Sequence, residues 1–145
     1  MTDRTVLHAA HTLERTYPRP PARVFAAWSD PASKARWFGG DRHELDFRAG
    51  GHETVHGRDT EGRALRHEAR YEEIVPNERI VYTSTLSSDG VPVTISVTTV
   101  QFRPAGEGTA LVLTEQAAYL DDREQPAWRE RGTGDWLDAL GRELA

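Results

Sequence analysis

Three side chains that could take part in proton transfer stand where the sequence predicts the covered face of a β-sheet. Glu53 shares one face of a short predicted strand with Val55, the only apolar residue of that strand. Glu115 shares a face with Leu113 in a later, strongly apolar strand, and His67 alternates with charged residues in a strand between them. Because successive strand residues point to opposite faces, all three side chains are predicted to point inwards. Carboxylates and an imidazole together can act as general acid and base, or can orient the polar part of a ligand.

The segment from Arg63 to Leu86 predicts the β-hairpin that positions His67. Its first arm has charged residues at every second position, and these alternate with His67, Ala69, Tyr71 and Glu73. After a turn at 76–78, one face of the second arm consists of Ile80, Tyr82, Ser84 and Leu86. A period of two is typical of an antiparallel sheet with one solvated face. The other face holds His67, Glu73 and Ser84, which suit a ligand cavity better than a dry core.

Prolines, turns and periodicity predict the remaining elements. A first strand at 13–17 follows a tail or strand extension over residues 1–10, and two short helices begin near Pro20 and Pro31. Further strands are predicted at 43–47, 52–57, 94–103 and 110–118. The order predicts a single α+β domain over 1–145, in which a curved antiparallel sheet of six to seven strands surrounds a long C-terminal helix.

The C-terminal helix is predicted over residues 126–145. Apolar or small residues recur every four positions, at Trp128, Gly132, Trp136, Leu140 and Leu144. Arg129 falls with the charged residues that are predicted to face solvent. This pattern is typical of an amphipathic helix that packs on a sheet.

Composition narrows the class of protein. The 145 residues include 37% hydrophobic and 28% charged residues, with a net charge of −5 and no cysteine. The acidic balance argues against nucleic acid or an anionic membrane as partner. The absence of cysteine excludes disulfides and thiolate catalysis. No signal peptide and no apolar run of about 18 residues is found, so a soluble cytoplasmic protein is expected.

Neither a metal nor a cofactor is expected from the sequence. His52 and His56 point the same way on one predicted strand, but they lie about 13 Å apart along it and cannot share an ion. Glu53, His67 and Glu115 could in principle hold zinc or iron, although no short-range ligand motif supports such a site.

Several segments resemble the SRPBCC superfamily, and within it the branch named after the activator of the 90-kDa heat-shock protein ATPase. The similar segments are 20–28, 37–39, 47–51, 71–76, 79–83, 108–114 and 134–136 with Leu137, Leu140 and Leu144, in register over about residues 10–145. The resemblance implies the helix-grip, START-like fold, with a cavity between the sheet and the C-terminal helix. Members of the family bind lipids, hormones or polyketides, and a few catalyse cyclisation or dehydration.

Two positions depart from the family pattern. Relatives often carry aromatic or aliphatic residues where this chain has Glu53 and Ser84, and both changes predict a roomier, more polar cavity. Relatives with chaperone activity are longer and have another domain, so a chaperone partner is not expected for this chain.

These observations predict a protein that binds a small hydrophobic or aromatic, amphipathic molecule. The expected ligand contacts are Trp37, Glu53, Val55, His67, Tyr71, Tyr82, Ser84, Val100, Leu113, Glu115 and Trp136. Two alternatives remain: an enzyme of the cyclase or hydrolase type that uses Glu53, His67 and Glu115, and an interaction module that resembles a chaperone ATPase activator. The sequence assigns no catalytic residue, and it leaves a homodimer open.

Overall fold

Seven antiparallel strands and three helices form the fold in the computed structural model, which describes residues 4–145. The elements in chain order are β1 (Val6–Tyr17), α1 (Pro21–Ser29), α2 (Pro31–Phe38), β2 (Arg42–Leu45), β3 (His52–Arg58), β4 (Ala64–Val75), β5 (Arg79–Ser88), β6 (Val91–Ala105), β7 (Gly108–Leu120) and α3 (Pro126–Glu143). The strands form one curved sheet in the order β1-β7-β6-β5-β4-β3-β2. The predicted helix-grip α+β fold is confirmed.

The connection from β1 to β2 carries α1 and α2 across one face of this sheet, because β1 and β2 are its two edge strands. The first strand is longer than predicted, since it pairs with β7 from Val6 onwards. Residues 6–10 therefore belong to β1, whereas residues 1–3 of the predicted tail or extension lie outside the described part of the chain.

Proline begins each helix, where its missing N–H group removes no helical hydrogen bond. Asp30 caps α2, and its carboxylate accepts from the Ser33 amide at 3.0 Å. Helix α3 is joined to β1 by the Tyr17 hydroxyl, which donates to the Leu137 carbonyl at 2.7 Å. The Tyr17 hydrogen bond holds α3 over the covered face of the sheet.

A β-bulge in β4 turns one side chain away from its predicted direction. Tyr71 pairs with Tyr82, but the next pair is Glu73 with Val81, so one residue of β4 is unpaired. The extra residue reverses the alternation. Glu73 is therefore exposed and bonds to Arg79 at 2.6 Å, and the prediction that it lies on the covered face is wrong.

The apolar stripe predicted along α3 is in the wrong place over the first turns of the helix, so that part of the prediction is wrong. The buried residues are Thr133, Gly134, Leu137 and Leu140, whereas the Trp128 side chain is 58% exposed. The buried face therefore runs one position away from the predicted one at the start of the helix. Opposite that turn the sheet presents a carboxylate rather than an apolar surface. A different side of the helix therefore faces the sheet there.

Candidate functional site

The structure buries nine of the eleven residues predicted to contact a ligand, namely Trp37, Glu53, Val55, Tyr71, Tyr82, Ser84, Val100, Leu113 and Glu115. The other two, His67 and Trp136, are half-buried. They do not form one cluster. Trp37, Val100 and Leu113 lie within the hydrophobic core, Glu53 and Tyr71 form one polar cluster, and Glu115 belongs to another.

The first polar cluster joins α2 to strands β2, β3 and β4 around Glu53. Lys34 Nζ lies 2.9 Å from each carboxylate oxygen of Glu53, and His43 Nε2 lies 2.7 Å from Oε2. The Tyr71 hydroxyl donates to Oε1 at 3.1 Å and accepts from Lys34 at 3.3 Å. Each polar group of this buried cluster thus has a partner, as burial of charge requires.

Sequence reasoning missed both Lys34 and His43. A signal for Lys34 was present, because it precedes Trp37 and Phe38 by three and four residues and so shares their helix face. In the structure its ammonium lies 4.2 Å from the centroid of the Phe38 ring, within reach of a cation–π interaction. A buried glutamate on a predicted apolar face also required a cationic partner somewhere in the chain.

Burial and ion pairing act in opposite directions on the pKa values of this cluster. Burial alone would raise the pKa of Glu53, but Lys34 and His43 outweigh it and lower the pKa to about 2. Burial lowers the pKa of Lys34, and Glu53 opposes this change. Burial and the adjacent carboxylate both raise the pKa of Tyr71. At neutral pH the carboxylate is therefore ionised and the phenol is neutral.

The second polar cluster surrounds Arg129, which reaches from the first turn of α3 to the covered face. Its guanidinium donates from Nε to Glu115 at 2.6 Å, from Nη1 to Glu124 at 3.1 Å and from Nη2 to Ser96 at 3.3 Å. The Arg129 side chain is 10% exposed, so the prediction that it faces solvent is wrong. Burial acts to lower its pKa, but Glu115 and Glu124 outweigh this and raise it.

Uncharged polar groups occupy the strands between these two clusters. Ser84 on β5 faces Ser96 on β6, and their hydroxyl oxygens are 2.8 Å apart. Next to them, Thr98 donates to Glu115 at 3.3 Å. Burial raises the pKa of Tyr82, which keeps this phenol neutral. The middle of the covered face is therefore polar but without net charge.

Two clefts open where α3 passes over the ends of β4 and β5. The Trp136 cleft has a volume of about 380 Å³, and its lining includes Phe38, Val55, Leu65, His67, Leu86 and Trp136. The Trp128 cleft has a volume of about 460 Å³, and its lining includes Leu65, Leu86, Val91, Val93, Glu124 and Trp128. The clefts share Leu65 and Leu86, so they meet on the covered side of the β4–β5 hairpin.

His67 is the polar residue of the covered face that lines the Trp136 cleft. Its Nε2 atom is buried and has no hydrogen-bond partner within the described residues. Burial lowers the pKa of His67 to about 4, although Glu53 opposes this change. The imidazole is therefore neutral at pH 7.

Neither a cluster of metal ligands nor a membrane-spanning helix is found within residues 4–145. No group of three or more histidine, aspartate or glutamate side chains in that range is arranged to hold a metal ion. No helix described there has the length and apolar character needed to span a bilayer.

Comparison with known proteins gives a family and a set of similar structures. The family model described as Activator of Hsp90 ATPase homolog 1-like protein matches residues 18–145. A protein from Rhizobium leguminosarum, described as uncharacterized, is 39% identical, with a TM-score of 0.94 over 99% of this chain and 98% of that chain. The Mll3558 protein from Rhizobium loti is 40% identical, with a TM-score of 0.91 over 97% of this chain and 99% of that chain.

A more distant structure shares the fold alone. DynU16, from the dynemicin biosynthetic locus, is 20% identical, with a TM-score of 0.73 over 93% of this chain and 46% of that chain. No curated protein matches the sequence.

Proposed function

Because the chain belongs to the family of Activator of Hsp90 ATPase homolog 1-like proteins, we propose that it binds a small amphipathic or aromatic molecule between the sheet and α3. The observation that carries this proposal is the pair of clefts that meet at Leu65 and Leu86. Their volumes fall within the range of about 300–1,000 Å³ that is typical of small-molecule sites.

The walls of the clefts suit an apolar ligand with a polar end. Leu65, Leu86 and the two tryptophans of α3 supply apolar surface. Trp128 and Val91 are 58% and 43% exposed and line the same cleft, and exposed apolar residues that lie together are typical of a binding site. Polar side chains, among them His67 and Ser88, line the same clefts.

The geometry gives less support to an acid–base enzyme. A general acid at neutral pH needs a raised pKa, whereas Lys34 and His43 hold the pKa of Glu53 at about 2 against the effect of burial. Glu115 is likewise paired with Arg129 at 2.6 Å. Both carboxylates are therefore engaged with cations rather than available to a substrate.

Binding can be tested with N-phenyl-1-naphthylamine, an uncharged probe whose fluorescence rises in apolar surroundings. We expect saturable binding of one probe per chain. The variant Leu86→Trp fills the junction of the clefts and should reduce affinity at least tenfold. Val97→Trp is the matched control, because Val97 is exposed on a neighbouring strand and lies opposite Thr83 on the solvated face.

Two results would count against the proposal. One is the absence of saturable binding to the wild-type chain. The other is equal loss of affinity in Leu86→Trp and Val97→Trp, which would indicate that the probe binds elsewhere. Circular dichroism and thermal unfolding of both variants establish that they are folded before affinities are compared.

A further inference from the structure

We propose that the Trp136 cleft selects an uncharged aromatic molecule that carries a hydroxyl group, and that His67 recognises this hydroxyl. The inference rests on the proposed function, because it assigns a ligand class to the same site. It follows from an unpartnered polar atom, the aromatic rings around it, and the balance of charge at the cleft.

The unpartnered atom is Nε2 of His67. Buried polar atoms in folded proteins nearly always have a hydrogen-bond partner, because burial without one is unfavourable. Three other buried side-chain atoms of the described chain lack a partner, but they belong to His11, Trp28 and Tyr119, which line neither cleft. His67 thus combines an unsatisfied nitrogen with a position in the wall of a cleft.

Aromatic rings enclose His67 on the side of α2 and α3. The Phe38 ring lies 5.6 Å from the imidazole and 4.3 Å from the Trp136 ring, measured between centroids. The imidazole and Trp136 are 6.4 Å apart. Offset or edge-on packing against such rings favours a planar aromatic ligand. A substituent on that ligand's edge then lies in the cleft whose wall includes His67.

The charges near the cleft favour a neutral ligand over an anion. Arg58 is the one arginine among the described residues that line the cleft, and Asp41 lines it as well. Arg58 donates to the Gly62 carbonyl at 2.8 Å. Deeper in the fold, Lys34 is paired with Glu53. The wall of the cleft therefore carries one positive and one negative side chain, and it has no net charge to attract a carboxylate ligand.

A hydroxyl group matches a neutral imidazole in either tautomer. The neutral ring has one nitrogen that donates and one that accepts, and a hydroxyl can do both. Burial lowers the pKa of His67 to about 4, so the neutral form is present at pH 7. A carboxylate, in contrast, can only accept, and it would require one particular tautomer.

The test compares three naphthalene derivatives by titration of tryptophan fluorescence at pH 7. The probes are 2-naphthol, 2-methoxynaphthalene and 2-naphthoate, which differ in one substituent. We expect 2-naphthol to bind about tenfold more tightly than 2-methoxynaphthalene, the effect of one hydrogen bond to a buried group. We expect 2-naphthoate to bind most weakly.

Variants then assign the preference to one side chain. His67→Phe should bring the ratio of naphthol to methoxynaphthalene affinity close to one while retaining methoxynaphthalene binding. His67→Gln, which keeps a hydrogen-bonding group, should retain part of the preference. His52→Phe is the matched control, because His52 is an exposed histidine of the neighbouring strand β3.

The outcomes separate this inference from the proposed function. Equal binding of naphthol and methoxynaphthalene by the wild-type chain would overturn the hydroxyl preference and leave ligand binding intact. Strongest binding of naphthoate, or a preference that persists in His67→Phe, would also overturn it. Failure of all three probes to bind the wild-type chain would overturn both proposals. The wild-type comparison stands whether or not a variant folds.

Discussion

Replacing Lys34 with methionine should separate the effect of burial on the Glu53 carboxylate from the effect of its ion pair with Lys34. Methionine has a similar volume but carries neither the charge nor the hydrogen-bond donors of lysine. The carboxylate then remains buried with His43 and Tyr71 as its partners. Removal of one member of a buried ion pair typically lowers the free energy of unfolding by about 3–5 kcal/mol. Since domains of this size are stable by only about 5–15 kcal/mol, the loss should be large.

The double variant Lys34→Met/Glu53→Gln tests the cause of that loss. Glutamine has no charge to leave unpaired and can still accept a hydrogen bond from Tyr71. We therefore expect the double variant to be more stable than Lys34→Met alone, with an interaction energy of roughly 2 kcal/mol or more. Arg36→Met is the matched control on the same helix, because the pair formed by Arg36 with Glu143 is exposed and should contribute far less.

Urea unfolding followed by tryptophan fluorescence measures these differences in the free energy of unfolding. Their dependence on pH shows whether the ionised Glu53 carboxylate stabilises or destabilises the folded state. In the wild-type chain the pKa of Glu53 is about 2, below the ordinary 4.5, so its contribution to stability is lost as the pH falls from about 4.5 towards 2. Without Lys34, burial should raise this pKa above 4.5, and acidification should then stabilise the variant. Equal losses in Lys34→Met and Arg36→Met, or additivity in the double variant, would refute this reasoning.

Three further predictions concern the other residues of the site. Burial lowers the pKa of His67 from 6.5 to about 4, so the wild-type chain should lose up to about 3 kcal/mol between pH 6.5 and 4, and urea unfolding of His67→Phe should lack this loss. Arg129→Met should destabilise the protein by about 3–5 kcal/mol because Glu115 loses its partner, whereas the exposed neighbour Arg131→Met should have little effect in the same assay. Trp128→Ala should weaken N-phenyl-1-naphthylamine binding several-fold while leaving the free energy of unfolding within about 0.5 kcal/mol.

Strand periodicity was sufficient to predict which side of the sheet carries the polar groups. Glu53 and Glu115 point inwards as the alternation predicted, because each strand there runs without interruption. Glu73 does not, because a bulge between Tyr71 and Glu73 reverses the alternation. A bulge depends on hydrogen bonds to the partner strand, and the sequence of a single strand does not reveal it.

The cationic partners could not be located from the sequence for a related reason. Lys34 and Glu53 lie 19 positions apart, and the helix that carries Lys34 must first cross the sheet before they meet. Arg129 is charged, and a rule that places charged residues on the solvated side of a helix puts it there. Its burial becomes understandable only with Glu115 on the facing strand. The family resemblance supplied the fold but neither of these pairs.

Both buried pairs join a helix to the sheet, and this arrangement bears on the proposed ligand site between them. Lys34 links α2 to β3, and Arg129 links α3 to β7. Apolar residues of similar volume in place of a buried ion pair are often neutral or stabilising, so stability alone does not require these pairs. We infer that these long, directional side chains instead fix the separation of helix and sheet, which apolar packing would reduce. A triple variant Arg129→Met/Glu115→Leu/Glu124→Gln, which leaves neither carboxylate without its cation, should therefore retain or increase stability in urea while binding N-phenyl-1-naphthylamine less tightly. Unchanged probe affinity in a folded triple variant would show that these pairs do not maintain the cleft.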